Sequence, residues 1–122
     1  MRKILTVDDS ASMRQMVRAT LQSAGYGVVE AADGQEALEF ARTNKVDLVI
    51  SDVNMPRMDG ITLVSELRAL PSYRLIPLLL LTTESSQEKK LEGKRAGATG
   101  WIVKPFNPSQ LINTLGRLFA TP

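Results

Sequence analysis

The chain contains no cysteine and no histidine, and these two absences exclude many catalytic chemistries at once. There is no disulfide, no thiol nucleophile, no Ser-His or Cys-His pair, no Cys/His zinc site and no phosphohistidine. A metal ion here must be held by oxygen, which points to a hard cation such as Mg²⁺ or Ca²⁺. Long hydrophobic runs are missing too. No stretch approaches the ~20 consecutive apolar residues that cross a bilayer, and Met1 to Val7 runs into two aspartates instead of a signal-peptide core. The expectation is a cytoplasmic protein with no membrane partner. Charge of one sign is also scarce, with 15 Lys+Arg against 13 Asp+Glu for a net +2, and no DNA-binding motif accompanies it. Nucleic acid is therefore not an expected partner.

What is present is an ordinary globular composition, 43% hydrophobic and 23% charged over 122 residues. That length predicts one domain spanning 1–122, large enough for a proper core and too small for a second functional module. Any output then comes from its own surface.

The stretch Asp47 to Asp52 organises the rest. Leu48, Val49 and Ile50 form a short apolar run without alternation, the pattern of a strand covered on both faces, and Pro56 and Gly60 punctuate the loop that follows. Asp52 stands where this strand runs out. Ile4 to Val7 is a second such run, ending in Asp8 and Asp9. Ser10 or Ser12 can cap the next helix, whose apolar positions Met13, Met16, Val17, Leu21 and Ala24 recur at helical spacing before Gly25. Gly27 to Ala31 reads as the second strand, Asp33-Gly34 as a turn, and Ala37, Leu38 and Ala41 as the inner face of a second helix. After Gly60, the residues Ile61, Leu63, Val64, Leu67 and Leu70 give a third helix its buried side. Pro77 to Leu81, the most apolar segment, predicts a central strand that ends at Thr82 and Thr83. Ser85 to Arg95 has helical composition but is mostly polar, with Leu91 as its expected apolar anchor and Gly93 inside it. Its Lys89, Lys90, Lys94 and Arg95 read as a solvated face. Trp101 to Val103 is the fifth strand, Asn107 a cap and Pro108 the opening of a last helix with Leu111, Ile112, Leu115, Leu118 and Phe119 on one face.

Strands alternating with helices imply a doubly wound α/β fold of (βα)5 type, a five-stranded parallel sheet between two helical layers. A parallel sheet puts all its strand ends on one rim, and ligands of such sheets bind in the crevice beyond that rim. Asp8 and Asp9, Asp52, Thr82 and Lys104 can therefore converge without being close in sequence. Carboxylates gathered together repel unless a cation neutralises them. Mg²⁺ suits that role and commonly bridges carboxylates to a phosphoryl group. Lys104 supplies a fixed positive charge and Thr82 a hydroxyl, both suited to phosphoryl oxygens, and one remaining carboxylate can be the nucleophile of aspartyl-phosphate chemistry.

The motifs Val7-Asp-Asp9, Ser51-Asp-Val-Asn-Met-Pro56, Met58-Asp-Gly60, the Thr82 strand end and Ala96 to Phe106, in this order and at this spacing, resemble the receiver domain of bacterial two-component response regulators. Among these the resemblance is to the single-domain chemotaxis type, and it runs from Lys3 to Phe119. It implies the flavodoxin-like strand order 2-1-3-4-5, of which the chemotaxis receiver CheY is itself a standard example. It further implies that Asp52 accepts a phosphoryl group from a sensor histidine kinase, and that Asp8, Asp9, Asp52 and the Asn54 backbone carbonyl hold Mg²⁺. Thr82 and Lys104 would bind the phosphoryl oxygens, and Thr82 and Trp101 would move together as the switch. Where the family more often has Tyr, Phe or His, this chain has Trp101. Asn54 and Glu84 fall at positions that influence dephosphorylation in the family. Lys104-Pro105 is expected to be cis. The implied partners are the kinase, a flagellar motor switch protein or another target engaged by helix 4, strand 5 and helix 5, and a phosphatase, with the chain itself a monomer.

Two rivals share part of this pattern. A haloacid-dehalogenase-type phosphatase also uses a strand-end aspartate with Mg²⁺, but it needs a second aspartate two residues on, where this chain has Asn54. A flavodoxin-like flavin carrier needs amide and hydroxyl donors after strand one, where Asp8 and Asp9 would repel a phosphate.

Overall fold

The computed structural model describes residues 1–120. Along it β1 (Lys3–Val7), α1 (Ala11–Ser23), β2 (Gly27–Ala31), α2 (Gly34–Thr43), β3 (Leu48–Ser51), α3 (Gly60–Arg68), β4 (Leu78–Thr82), α4 (Gln87–Ala96), β5 (Gly100–Val103) and α5 (Pro108–Ala120) follow one another, with a short 3-10 turn at Pro71–Tyr73. All strands pair in parallel, in the order β2-β1-β3-β4-β5. This is the predicted architecture, with β2 and β5 at the edges.

The unalternating apolar runs have the expected cause, since β3 and β4 are buried along their whole length. Successive side chains enter opposite faces. Leu5, Val7, Val49, Leu78 and Leu80 pack with Ala37, Leu38 and Ala41 of α2 and Leu63, Val64 and Leu67 of α3. Ile4, Leu48, Ile50, Leu79 and Leu81 pack on the other side with Val17 and Leu21 of α1 and Leu111 and Leu115 of α5. Each fully buried aliphatic side chain in these layers contributes about 1.5–3 kcal/mol of transfer free energy. No helix among the described residues is long and apolar enough to cross a membrane.

The helices start where their caps allow. Ser10, rather than Ser12, accepts the Met13 amide, Asp33 that of Glu36, Asp59 that of Thr62, Ser86 that of Lys89, and Asn107 that of Gln110. All of these caps stand in loops leaving the carboxyl ends of strands, so each helix directs its amide end toward the same rim. At the opposite pole the Arg68 guanidinium donates to the carbonyls of Tyr73, Arg74, Ile76 and Gly97. This ties α3, the loop before β4 and the end of α4 together. Burial holds its pKa below the ordinary arginine value.

Two expectations about helix faces are corrected. Met16 is 56% exposed, as α1 buries only Val17 and Leu21 and keeps a narrower apolar stripe than its composition suggests. Leu91 is 46% exposed and does not anchor α4. The buried residue of α4 is Gly93, because the helix backbone itself lies flush against the Trp101 ring and Leu80.

Candidate functional site

The rim collects the strand-end residues as the parallel topology requires. Register brings Val7 beside Ser51, so Asp8 and Asp52 leave neighbouring strands side by side, and the Asp52 amide donates to the Val7 carbonyl at 2.9 Å. Oxygen atoms of Asp8, Asp9 and Asp52 lie within 4.8 Å of one another. Asp8 is 4% and Asp52 9% exposed, while Asp9 faces solvent. Lys104, one residue past β5, reaches back across the rim and places Nζ 2.8 Å from Asp8 Oδ2 and 3.5 Å from Asp52 Oδ2. The Lys104-Pro105 peptide is cis, as expected.

The two buried carboxylates are each oriented by a local amide. Asp52 Oδ1 accepts the Val53 N–H at 2.7 Å, which leaves Oδ2 turned to Lys104, and Asp8 Oδ1 accepts the Ser10 N–H at 2.9 Å. The donor set is all hard oxygen, and one ammonium against three carboxylates leaves the cluster net negative. These residues fit a divalent cation such as Mg²⁺.

Thr82 is fully buried at the end of β4. Its Oγ1 accepts the Glu84 amide at 3.2 Å, and the Glu84 carbonyl accepts the Trp101 indole N–H at 2.9 Å. A chain of two hydrogen bonds thus runs from the rim to the half-buried indole on β5. Asn54 is exposed in the loop after Asp52.

Several contributors carried no signal at the level of sequence, or only a weak one. Gly60 is more than punctuation: a Cβ there would stand 2.0 Å from the Asp52 carbonyl oxygen, so α3 can begin this close to the site only with glycine. Arg14 donates to the Asp8 carbonyl at 2.5 Å and pairs with Glu30, which also holds Arg18. Arg57, in the left-handed region at φ 66°, pairs with Asp33. The Glu36 amide, opposed by burial and aided by Arg57, holds the Asp33 carboxyl below the usual carboxylate range. Arginines are common on surfaces, and nothing in their spacing announces a partner across the fold.

Comparison with known proteins places the fold in a family. Residues 4–116 match the model of the response regulator receiver domain. The chemotaxis protein CheY-3 of Vibrio cholerae is 39% identical over 96% of this chain and 91% of its own length. The crystal structure of Vibrio cholerae CheY4 superposes with a TM-score of 0.92 at 58% identity, covering 97% of this chain and 98% of that one. The receiver domain of a Pseudomonas aeruginosa sensor histidine kinase, solved with a magnesium ion coordinated in its active-site cleft, superposes with a TM-score of 0.91 at 30% identity over 98% of each chain. A strand order, a rim of strand-end residues and a family match over nearly the whole chain agree, and the chain belongs to the response regulator receiver family, close to its CheY-type members.

Proposed function

We propose that residues 1–122 work as one phosphorylation-activated receiver unit, in which Asp52 takes a phosphoryl group from the phosphohistidine of a sensor histidine kinase. The observation that carries this reading is the strand-end Asp52 with Oδ2 facing Lys104 Nζ at 3.5 Å beside Asp8 and Asp9. In the transfer, Asp52 Oδ2 forms the new P–O bond as the P–N bond to imidazole breaks, and the imidazole leaves with a proton. Oδ1 stays on the Val53 amide, which keeps the carboxylate plane fixed through the step.

Asp8, Asp9, Asp52 and the Asn54 backbone carbonyl are the residues that would hold Mg²⁺. When bound, Mg²⁺ supplies positive charge for the phosphoryl oxygens. Lys104 exchanges its contacts with Asp8 and Asp52 for a phosphoryl oxygen. The Thr82 hydroxyl turns from the Glu84 amide toward the same group, and the Glu84 carbonyl passes that change to Trp101. The protein signals by binding, with α4, β5 and α5 as the target face and chemotaxis as the pathway, a flagellar motor switch protein being the favoured target. It works in the cytoplasm as a monomer, and a phosphatase partner resets it.

The test is mass spectrometry after incubation with acetyl phosphate and Mg²⁺. The protein should gain the mass of one phosphoryl group, and Asp52→Asn should not, because an amide is no nucleophile for this transfer. Peptide mapping that put the phosphate on Ser51 would overturn the assignment. For the pathway, beryllofluoride with Mg²⁺ should raise affinity for the motor switch protein of the same genome. No change in affinity at a filled site would direct the search to another target.

A further inference from the structure

The loop between β3 and α3 leaves Asp52, carries Asn54 and ends at the Asp59 cap, so its placement sets the placement of the candidate metal and phosphoryl site. Within residues 54–58 the Met58 amide bonds only locally, to the Pro56 carbonyl at 2.7 Å. Among the described residues, the hydrogen bonds that leave this stretch for another part of the fold come from one side chain. Arg57 donates through Nε at 3.2 Å and a terminal nitrogen at 2.7 Å, both to Asp33 Oδ2. The other Asp33 oxygen accepts the Glu36 amide at 2.9 Å and caps α2. One carboxylate therefore joins the start of α2 to the loop, with both its oxygens committed.

Two features mark this contact as more than an incidental surface pair. Arg57 keeps a left-handed backbone at φ 66°, which an arginine adopts at a cost and holds only when its surroundings determine it. Beside it the loop packs directly on α2, since a Cβ at Gly34 would lie 2.7 Å from the Met58 carbonyl oxygen. The exit of β2 and the loop after β3 are thereby latched together across the end of β1, the strand that delivers Asp8 and Asp9.

We propose that Arg57 and Asp33 are positioning residues for the metal and phosphoryl site, their ion pair fixing the loop so that the Asn54 carbonyl is presented to the cation held by Asp8, Asp9 and Asp52. This rests on the metal-site reading above. Neither residue touches the cation. They act through the backbone between them and Asn54.

Two substitutions separate positioning from plain stability. Arg57→Gly removes the guanidinium and also the backbone cost, since glycine adopts this conformation freely. Asp33→Asn keeps an oxygen for the Glu36 amide and weakens the pair with Arg57. The readouts are the Mg²⁺ Kd by titration calorimetry and the Tm without metal. Arg57→Gly should weaken Mg²⁺ binding about tenfold, the lower end for outer residues of a metal site, with its metal-free Tm equal to or above wild type. Asp33→Asn should weaken it to a similar degree, and the double variant no further, because both remove one interaction. A wild-type Kd in Arg57→Gly, whatever its Tm, would overturn the inference and leave the metal site standing. Wild-type protein that itself fails to bind Mg²⁺ would overturn the metal site and this inference with it.

Discussion

Gly93→Ala perturbs the contact between α4 and β5 by a single methyl group, and the structure sets the size of the effect. A Cβ at position 93 would lie 2.9 Å from Trp101 Cζ3 and 3.1 Å from both Trp101 Cε3 and Leu80 Cδ1. Carbon atoms rest at ~3.5–4.0 Å, so the indole must withdraw by roughly 0.6 Å or more. It cannot do so freely, because its N–H is bonded to the Glu84 carbonyl at 2.9 Å. Losing that bond costs about 1 kcal/mol net. Alanine in place of glycine within a helix returns ~0.8–1.0 kcal/mol, so folding stability should change by less than about 1 kcal/mol. The ring, by contrast, should swing toward solvent. Trp101 is the only tryptophan, which makes it a clean probe. Urea unfolding should therefore report near-normal stability while the emission shifts to the red and iodide quenches it more strongly. If the Thr82 to Trp101 route carries the switch, target affinity should change while labelling of Asp52 by acetyl phosphate does not. Unchanged emission with a loss of stability above ~2 kcal/mol would refute the reasoning, since α4 rather than the indole would then have moved.

Mg²⁺ at about ten times its Kd should stabilise the wild type by ~1.4 kcal/mol, a gain that Asp9→Ala should lose while its metal-free form, relieved of repulsion, melts no lower than wild type; an equal Mg²⁺ response in the two proteins by differential scanning calorimetry would count against the site. Gly60→Ala sets a Cβ against backbone that cannot turn aside, 2.0 Å from the Asp52 carbonyl oxygen, and should cost about 3 kcal/mol in urea unfolding and sharply reduce labelling of Asp52. A stable, fully labelled variant would show that α3 can shift. Asp33 titrates below the ordinary 3.8 in the folded protein, so its contribution is complete above that pH and disappears as pH falls through the lower folded value. Asp33→Asn should therefore be the less stable protein at neutral pH, with the difference closing in acid unfolding below pH ~4. A gap that stayed constant with pH would show that the carboxylate charge is not what stabilises.

The parts of this molecule that could be read from sequence are those whose cause is local or periodic. Leu48 to Ile50 and Leu78 to Leu81 announced covered strands because burial on both faces removes the alternation, and the resulting parallel sheet put Asp8, Asp52, Thr82 and Lys104 on one rim. Asn107 was legible as a cap because it precedes Pro108, whereas Ser10 and Ser12 could be separated only by geometry. Leu91 misled because its hydrophobicity was read without its neighbour. Gly93 brings the backbone of α4 so close to Trp101 that the apolar contact is made without a side chain, and Leu91 is left facing out. Arg68 was invisible for a different reason, since most of its acceptors are backbone carbonyls, which every residue has. The pair of Arg57 with Asp33 spans 24 positions and two elements, and periodicity says nothing about such a distance.

The charges at the rim also explain why the receiver reading needs both a lysine and a metal. Counted formally, the carboxylates of Asp8, Asp9 and Asp52 set three negative charges against the one positive charge of Lys104, which lies between two of them. Phosphorylation at Asp52, as proposed, would consume its charge but bring about −2 in its place, so without a divalent cation the cluster would become more negative. With one the formal sum would be about −1. Under the proposed function Lys104 alone could not serve both states, because the ammonium that lies 2.8 Å from Asp8 is the group that would be required at the phosphoryl oxygens. Its release from Asp8 would then depend on another cation taking up that carboxylate. Under the proposed function Asp8, Asp9 and Asp52 would hold the cation, and its positive charge would let Lys104 leave Asp8 and stabilise the charge that develops on the phosphoryl group.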